Sequence, residues 1–244
     1  MLSKAQIKLI KSLQLRKYRR EAGLFIAEGK KVVGELIHSS IKVEHVYASE
    51  KYDGDIPHIQ IGSRDLNMVS SLTNSQGIIA ICRIPNSSDA KPDLTKELVL
   101  ALDDIRDPGN MGTIIRIADW FGIGHIYCSD ESVDAYNSKV IQATMGSIAR
   151  VAVHYVNLSQ MLESSKKDHI PVYGALLSGK DVYSEKLTPN GILVIGNEAN
   201  GISPEIEKFI TTPVSIPSYA KGRGAESLNA AIATAILCAE FKRR

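Results

Sequence analysis

The feature that most constrains this chain is a series of short apolar runs, separated by segments of helical periodicity, in its C-terminal part. The runs are LVLAL (98–102), HIYC (125–128), VAVHYV (151–156), PVYGALL (171–177), GILVIG (191–196) and PVSI (213–216). Strands that are apolar along their whole length are typical of parallel sheets whose two faces are both covered by helices. The sequence therefore predicts an α/β domain with a mainly parallel, buried sheet.

A smaller set of alternating elements precedes this domain. Strand patterns in FIAEG, VEHVYAS and GIIAICRI are separated by the helical patterns KKVVGELIHS and SRDLNMVSSLT. The polar stretch PNSSDAKPDLTKE follows at residues 85–97, and its prolines and short polar residues are typical of a linker. We therefore predict two domains, a small α/β domain over residues 1–90 and the parallel-sheet domain over residues 91–244.

The composition excludes several other classes of protein. Hydrophobic residues make up 44% and charged residues 23% of the 244 residues, as in ordinary soluble domains. The three cysteines, Cys82, Cys128 and Cys238, lie far apart in the sequence, which predicts neither a disulfide framework nor a metal site. No apolar stretch approaches the ~18 residues of a membrane span, and the N-terminus lacks the pattern of a secretory signal. We therefore expect a cytoplasmic protein that binds no metal and no membrane.

Positive charge is concentrated at the N-terminus. Residues 1–34 contain nine Lys and Arg side chains against two acidic ones, a net charge of +7, whereas the whole chain has +2. Leu9 and Leu13, with Ile10, give residues 3–18 the pattern of a basic amphipathic helix. Such a helix can be a solvated surface, a membrane-surface helix or a polyanion-binding element. The absence of Trp and Phe anchors favours nucleic acid over membrane.

Polar residues follow three of the apolar runs, at the place where open α/β sheets bind ligands. In residues 100–123, Pro108 and Gly109 break the chain, and Asn110 can cap a helix with an apolar stripe that includes Ile114 and Ala118. Arg116 lies off that stripe, so packing does not explain it. Its alternative role is a surface ion pair with an aspartate, either Asp107 or Asp119.

The second polar segment is LVIGNEANGIS, residues 193–203. Gly196 ends a strand, Asn197 and Glu198 follow it, and Gly201 precedes a new helix. Glycine at a strand end lets backbone groups approach a ligand closely, although an ordinary strand-to-helix turn also uses glycine.

The third polar segment opens the last helix. We expect that helix over residues 228–242, with its apolar face formed by Leu228, Ala231, Ile232, Ala235 and Ala239. Ser227 and Asn229 then lie in its first turn, among free backbone N–H groups. Capping alone explains Ser227 but not an asparagine at position 229.

Other common sites are missing from the sequence. It contains no GxGxxG after a first strand, no GxxxxGK[ST] and no HExxH motif. The six histidines are scattered, and none adjoins a candidate nucleophile. A phosphate-loop enzyme, a catalytic triad and a zinc site are therefore all disfavoured.

Together, the three polar segments resemble the motifs of the SpoU/TrmH family of RNA ribose 2′-O-methyltransferases, in the SPOUT superfamily. DPGNMGTIIRIADWFG, GNEANGIS and ESLNAAIA are similar to its first, second and third motifs, and NSKVIQATMGS is similar to the helix between them. The N-terminal region, with FIAEGKKVV and TNSQGIIAI, resembles the ribosomal-protein-L30e-like RNA-binding domain that many members have. The chain departs from the family in the long basic lead-in SYAKGRGA (218–225) and in Ala230 and Ala231, which replace the Val-Ser often seen after Asn229.

The resemblance implies a parallel sheet with a deep trefoil knot, a homodimer, and metal-free S-adenosylmethionine as the cofactor. It implies that Arg116 faces a cofactor bound across the dimer interface. The implied catalytic residues are Asn110, Arg116, Glu198, Ser227 and Asn229. The implied cofactor-binding residues are Leu176, Gly196, Asn197, Gly201, Ile216, Ser227, Leu228 and Asn229. We assign RNA binding to the basic residues Arg16, Lys17, Arg19, Arg20 and Lys30.

The implied reaction is methyl transfer to a ribose 2′-hydroxyl in structured RNA, with ribosomal RNA of the 23S type favoured. The resemblance gives Arg116 the role of the base, but a guanidinium with a pKa above about 12 is a poor proton acceptor. A phosphate clamp is the alternative role of Arg116, with the proton leaving through Glu198, water or a phosphate oxygen. Two alternative functions stay open, a transfer-RNA ribose methyltransferase and a non-catalytic RNA-binding protein of the same fold.

Overall fold

The computed structural model describes residues 1–86, 92–220, 222 and 225–243. Ten strands and nine α-helices are found in these residues, together with a 3₁₀ helix at Ser147–Ala149. The strands are β1 (Leu24–Glu28), β2 (Val43–Ala48), β3 (Ile59–Gln60), β4 (Ile78–Arg83), β5 (Leu98–Leu102), β6 (His125–Cys128), β7 (Ala152–Tyr155), β8 (Val172–Asp181), β9 (Gly191–Ile195) and β10 (Thr212–Ser215). The helices are α1 (Lys4–Ser12), α2 (Arg16–Ala22), α3 (Lys30–Ile37), α4 (Ser63–Val69), α5 (Pro108–Trp120), α6 (Ser138–Thr144), α7 (Leu158–Lys167), α8 (Pro204–Glu207) and α9 (Ala230–Lys242).

The chain divides into two compact units whose limits do not follow the sequence order. The N-terminal unit comprises Met1–Asn86 and Asp134–Arg150, and the C-terminal unit comprises Ser87–Val133 and Val151–Arg244. Helix α6, from the middle of the C-terminal sequence, therefore packs with the N-terminal unit. The boundary expected at residues 90 and 91 lies outside the described residues and stays a prediction.

The C-terminal unit has a six-stranded sheet of order β10-β8-β9-β5-β6-β7, in which every pairing is parallel. Strands β5 and β9 are buried at every position, as their continuous apolar runs predict. The α/β class with a parallel sheet is confirmed; the trefoil knot stays a prediction.

The N-terminal unit has a four-stranded sheet of order β1-β4-β2-β3. The β1–β4 and β2–β4 pairs are antiparallel, and the short β3, which the sequence patterns did not reveal, pairs with β2 in parallel. The small N-terminal α/β domain is thus confirmed as well.

The N-terminal basic segment forms two helices, so the single helix expected over residues 3–18 is wrong. A capping box between Ser3 and Gln6 begins α1. The chain then leaves the helical conformation, and Leu15 is extended, with φ −100° and ψ 131°. This break lets the chain bury both Leu13 and Arg19, each 2% exposed, on the inner side of the turn.

The apolar face expected for the last helix is also wrong. Helix α9 begins at Ala230, two residues later than expected, and its buried residues are Ala230, Ala231, Thr234, Leu237, Cys238, Glu240 and Phe241. Leu228 lies before the helix and is 48% exposed, while Ile232 is 52% exposed. The helix is apolar around most of its circumference, so several stripes of similar hydrophobicity exist and the sequence does not distinguish them.

Candidate active site

The first polar loop is fixed to the start of α5 by a side-chain cap. The Oδ1 atom of Asp107 accepts a hydrogen bond from the Asn110 backbone N–H at 2.7 Å, and Pro108 occupies the first turn. Ile114 and Ala118 are fully buried and anchor the helix. The side chain of Asn110 therefore projects from a rigid helix end.

Three polar motifs that lie far apart in the sequence meet at Asn110. Its Nδ2 donates to Glu198 Oε1 at 2.7 Å, and its Oδ1 accepts from Asn229 Nδ2 at 2.8 Å. Asn110 and Asn229 are separated by 119 positions, so only the fold brings them together. The residues predicted from the first, second and third motifs thus form one hydrogen-bonded chain.

Asn229 has a second role that the sequence analysis did not assign correctly. It is the N-cap of α9, because its Oδ1 accepts from the backbone N–H groups of Ala231 and Ile232 at 2.9 and 3.2 Å. The backbone of Asn229 is extended, so the helix begins at the next residue, Ala230. The expectation that Asn229 lies inside the first turn is therefore wrong. Ser227 is exposed and precedes the cap. One amide therefore caps a helix with its oxygen and holds Asn110 with its nitrogen.

The second motif forms a tight closed loop. Asn197 and Gly201 exchange backbone hydrogen bonds, each at 2.9 Å, and Gly201 has φ +69°. A side chain at Gly196 would strike the backbone of Gly201 and Ile202, so the close approach requires glycine there. The loop leaves Glu198 exposed at its tip.

The side chain of Asn197 is used inside the protein. Its Oδ1 accepts from the Ala199 N–H at 2.9 Å, and its Nδ2 donates to the Asp104 carbonyl at 2.7 Å. Asp104 itself has φ +56°, a conformation that a non-glycine residue adopts at some cost. Asp104 was not singled out from the sequence, and the Asp-Asp pair after β5 was its only signal. Through these bonds Asp104 holds the second motif to the first.

The remaining predicted cofactor residues follow neighbouring strands. Gly196 directly follows β9 and Ile216 directly follows β10, while Leu176 lies where β8 stops pairing with β9. Since β10, β8 and β9 are adjacent and parallel, these positions belong to one edge of the sheet. Leu176 and Ile216 are half-buried. They provide uncharged side chains beside the backbone of this edge.

Arg116 stands apart from the hydrogen-bonded chain. It is exposed on α5, and within the described part of the chain it makes no hydrogen bond or ion pair. The two alternatives, ion pairs with Asp107 or Asp119, are therefore absent. Its guanidinium is available to a ligand.

The predicted RNA-binding residues lie in the N-terminal unit, and one of them needs correction. Lys17, Arg20 and Lys30 are exposed, and Arg16 is half-buried. Arg19 is buried and binds Asp134, with Nε–Oδ2 and Nη2–Oδ2 distances of 2.8 and 2.5 Å. Because its donors are used inside the protein, Arg19 is not a phosphate-binding residue in this structure.

Neither a metal site nor a membrane-spanning helix is found among the residues that the structure describes. The residues described by the structure contain no cluster of three or more His, Cys, Asp or Glu side chains that could hold a metal ion. No helix within those residues is both long and apolar enough to cross a membrane.

The chain is an α/β protein in which three polar loops meet at one end of a parallel sheet and form a candidate ligand site. The chain belongs to the SpoU rRNA Methylase family, whose profile matches residues 97–239. A second profile, the MRM3-like substrate binding domain, matches residues 4–80.

Relatives cover the whole chain. It is 29% identical to RlmP of Bacillus subtilis, a 23S rRNA (guanosine(2553)-2′-O)-methyltransferase, over 95% of this chain and 94% of that protein. A solved structure from Porphyromonas gingivalis, assigned to the TrmH family of RNA methyltransferases, is 39% identical, with a TM-score of 0.86 and coverage of 100% and 99%. The AdoMet-bound rRNA methyltransferase of Sinorhizobium meliloti is 28% identical, with a TM-score of 0.85 and coverage of 100% and 97%.

Proposed function

We propose that this protein transfers a methyl group from S-adenosylmethionine to a ribose 2′-hydroxyl of ribosomal RNA. The observation that supports it most is the set of hydrogen bonds that joins Glu198, Asn110 and Asn229, one residue from each of the three motifs. Arg116 lies exposed on the same helix as Asn110 and makes no hydrogen bond or ion pair with the residues that the structure describes. Family membership and the rRNA specificity in the names of RlmP and of the Sinorhizobium protein favour ribosomal over transfer RNA. A pure RNA-binding protein would not need this hydrogen-bonded arrangement of three motifs.

The edge formed by β9, β8 and β10 suits the cofactor. Leu176, Ile216 and Leu228 would hold it, with backbone groups at Gly196 and Gly201, and with Asn197, Ser227 and Asn229 positioning those loops. When bound, S-adenosylmethionine supplies a methyl group on a positively charged sulfur. An uncharged lining favours transfer, because that charge is lost as the reaction proceeds.

The protein's own residues must orient the ribose and remove its proton. Asn110 fixes one oxygen of the Glu198 carboxylate, and no hydrogen bond within the described residues occupies the other oxygen. That oxygen can accept the proton directly or through water. Arg116, which remains charged, is suited to clamp an RNA phosphate, and its alternative role is that of the base.

RNA affinity is assigned to the N-terminal unit and the predicted domain 1–90. By sequence, this unit contains 15 Lys and Arg against nine Asp and Glu side chains, a net charge of +6, whereas the C-terminal unit has 14 against 18, or −4. Exposed Lys17, Arg20 and Lys30, with Arg16, would bind phosphates. Residues 91–244 would contain the catalytic site.

We further propose that the protein is a homodimer in the cytoplasm. Helix α9 exposes Ile232 although it is apolar on most sides, and Trp120 at the end of α5 is 84% exposed. Helices that are apolar all round are normally buried, so a second copy of this chain is the occupant we propose for this surface.

The proposed function is tested by cofactor binding and by methyl transfer with the purified full chain. We expect calorimetric titration to show metal-independent binding of S-adenosylmethionine, and labelled methyl groups to enter total RNA from a strain that lacks the modification. The matched control is Asn110→Ala, which removes the centre of the hydrogen-bonded chain. A folded protein that binds no cofactor and transfers no label would contradict the proposal.

A further inference from the structure

The loop that contains Glu198, residues 196–202, is bonded at both ends to one residue, Asp103. Asp103 directly follows β5, and its backbone N–H donates to the carbonyl of Ile195, just before the loop, at 2.9 Å. Its Oδ2 accepts from the N–H of Ser203, just after the loop, at 2.7 Å. Both ends of the Glu198 loop are therefore held at the same point of the sheet.

Asp103 is a buried carboxylate that the proposed reaction does not use. It is only 6% exposed. Burying such a group lowers stability unless hydrogen bonds replace the lost water, and an apolar side chain of similar size would avoid this penalty. What the carboxylate adds is a directional acceptor for the Ser203 N–H. Ser203 begins α8, and its own side chain makes no capping bond there, so Asp103 supplies a polar group that fixes this end of the loop.

The next residue along the chain, Asp104, holds the middle of the same loop. Its carbonyl accepts from Asn197 Nδ2 at 2.7 Å. Asn197 in turn exchanges two backbone hydrogen bonds with Gly201, each at 2.9 Å. Asp103 and Asp104 together therefore restrain the loop along its length and leave its tip, where Glu198 lies, as its exposed part.

The chain segment that holds the loop also contains Asn110. Residues 103–110 run from the attachment of the loop, through the Asp107 cap, to Asn110, whose Nδ2 donates to Glu198 Oε1 at 2.7 Å. All of these contacts lie within the C-terminal unit. A shift of the loop at Asp103 would therefore move Glu198 relative to Asn110 and redirect the second oxygen of its carboxylate.

We propose that Asp103 is a positioning residue for methyl transfer, which fixes the position of Glu198 by holding both ends of its loop. This inference rests on the proposed function, in which Glu198 accepts the ribose proton. Asp103 acts from beneath the loop, so its effect on the rate passes through Glu198. A misplacement of about 1 Å can slow a reaction by about 10²-fold, so loosening the loop has a measurable effect.

The test is a double-mutant cycle in the full chain. Asp103→Ala removes the acceptor, and single-turnover methyl transfer at saturating RNA and S-adenosylmethionine should fall by about 10- to 100-fold. In a Glu198→Gln background, the same substitution should lower the remaining rate by less than about threefold, because the group that it positions is already lost. Asp103→Asn keeps an oxygen that can accept from the Ser203 N–H, so its rate should stay within about threefold of wild type.

Two control variants separate positioning from a general loss of stability. Val153→Ala creates a cavity at a buried position of β7, three strands away from β9, and Asp168→Ala removes an exposed carboxylate of the same unit. Both should transfer at the wild-type rate while folded. Hydrogen exchange gives a readout that does not depend on activity. The Asn197 and Gly201 amides, which close the loop, should exchange at least about tenfold faster in Asp103→Ala and at the wild-type rate in Asp168→Ala.

If Asp103→Ala does not fold, Ser203→Pro removes the donor of the same hydrogen bond at a backbone φ of −64°, which proline adopts, and it should give the same changes. A wild-type transfer rate in Asp103→Ala, an equal fall in the Glu198→Gln background, or unchanged exchange in the loop would overturn the proposal. If the wild-type chain transfers no methyl group at all, the proposed function fails, while the exchange measurement still decides whether Asp103 holds the loop.

Discussion

At the scale of single residues, Arg116 is the most informative position. It is exposed and makes no hydrogen bond or ion pair with the described residues, so replacing it by alanine should leave thermal unfolding and RNA affinity close to wild type. Methyl transfer should slow by about 10²- to 10⁴-fold, the usual effect of losing an orienting or proton-transfer group. Single-turnover assays measure this directly. Near-normal turnover would show that Arg116 is an ordinary surface residue.

Arg116→Lys separates the two roles of this residue. A clamp depends on positive charge, so lysine should recover part of the rate and keep the wild-type pH–rate profile. If Arg116 were the base, the wild-type rate would rise with pH as the guanidinium loses its proton, and the alanine variant would lose that rise.

Asn229 combines capping and positioning, and two substitutions separate them. Asn229→Asp keeps an oxygen acceptor for the cap of α9 but loses the donor to Asn110, so we expect wild-type stability and transfer slowed at least about tenfold. Asn229→Ala loses both functions, and its free energy of unfolding should fall by about 1 kcal/mol as well. Chemical denaturation and transfer assays give the two readouts. A wild-type rate in Asn229→Asp would remove the Asn229–Asn110 bond from the mechanism.

Some of these residues could be found in the sequence and some could not. Asn110, Glu198 and Asn229 could be found because they lie in three polar segments that follow apolar strands, where open α/β sheets bind ligands. The fold brings the three side chains into contact. The burial of Arg19 was missed because its acceptor, Asp134, lies 115 positions away in a segment with no visible relation to the basic end. Charge alone does not show which member of a cationic cluster is buried.

At the scale of elements, β6 and β7 are joined by a stack of aromatic rings. His125 and Tyr127 both stack on His154, and His125 Nδ1 lies 3.0 Å from His154 Nε2. Burial lowers the pKa of His154, and so does the neighbouring His125. The folded protein therefore keeps this imidazole neutral at pH values where the unfolded chain takes up a proton.

This lowered pKa predicts how stability depends on pH. The contribution of the neutral His154 to the free energy of unfolding is fully present above the unfolded pKa of about 6.5. It is lost as the pH falls from there through the lower pKa of the folded protein. Urea unfolding at pH 7.5 and 5.5 should show this loss, and His154→Phe should reduce the difference. The same substitution at the exposed His45 is the control and should leave it unchanged. A wild-type stability that does not fall at pH 5.5 would contradict this account.

Helix α9 gives a prediction for the proposed dimer. Ile232→Lys places a charge on its exposed apolar side, so the mass in sedimentation should fall from that of two chains to that of one. Ile59→Lys makes the same change at an equally exposed position, 52% in both cases, in the N-terminal unit, and it should remain dimeric. Dissociation of both variants, or of neither, would argue against α9 as the interface.

The elements differ in how well the sequence predicts them. The strands of the parallel sheet can be predicted from continuous apolar runs. Strands buried on both faces are apolar at every position, so they show no alternation of polar and apolar residues. The stripe of α9 was misplaced because apolar residues surround that helix, and two-residue β3 was missed because it is too short to have a pattern. Helix α7 was not assigned, since its buried residues, Leu158, Leu162 and Ser165, include only two apolar side chains.

At the scale of the whole molecule, the charge asymmetry predicts a salt effect. Replacing Lys17, Arg20 and Lys30 together by glutamine should weaken RNA binding and flatten its dependence on salt, by a log–log slope of roughly 0.7 for each lost phosphate contact. Cofactor binding should be unchanged. Filter binding between 50 and 200 mM salt, about the range where such effects are large, measures the slope. An unchanged slope would show that these basic residues form only a solvated surface.

Deleting the predicted N-terminal domain is a poor test of its role, because residues 134–150 belong to the same compact unit. Deleting residues 1–90 would remove the groups on which this segment packs, and its buried Ala135, Val140, Ile141 and Ile148 would lose their cover. The linear order of two domains in the sequence gave no sign of this arrangement. Surface substitutions in the full chain are therefore the better way to separate RNA binding from catalysis.

Identifying the methylated atom decides whether this protein is a ribose methyltransferase. Ribosomal RNA that lacks the modification should be treated with the protein and labelled S-adenosylmethionine, digested to nucleosides and analysed for the labelled product. We predict that the label is found in a 2′-O-methylated ribose, that the modified position resists alkaline cleavage, and that Arg116→Ala produces the same product far more slowly. Label found on a base, or a folded protein that leaves every RNA unlabelled, would contradict the account.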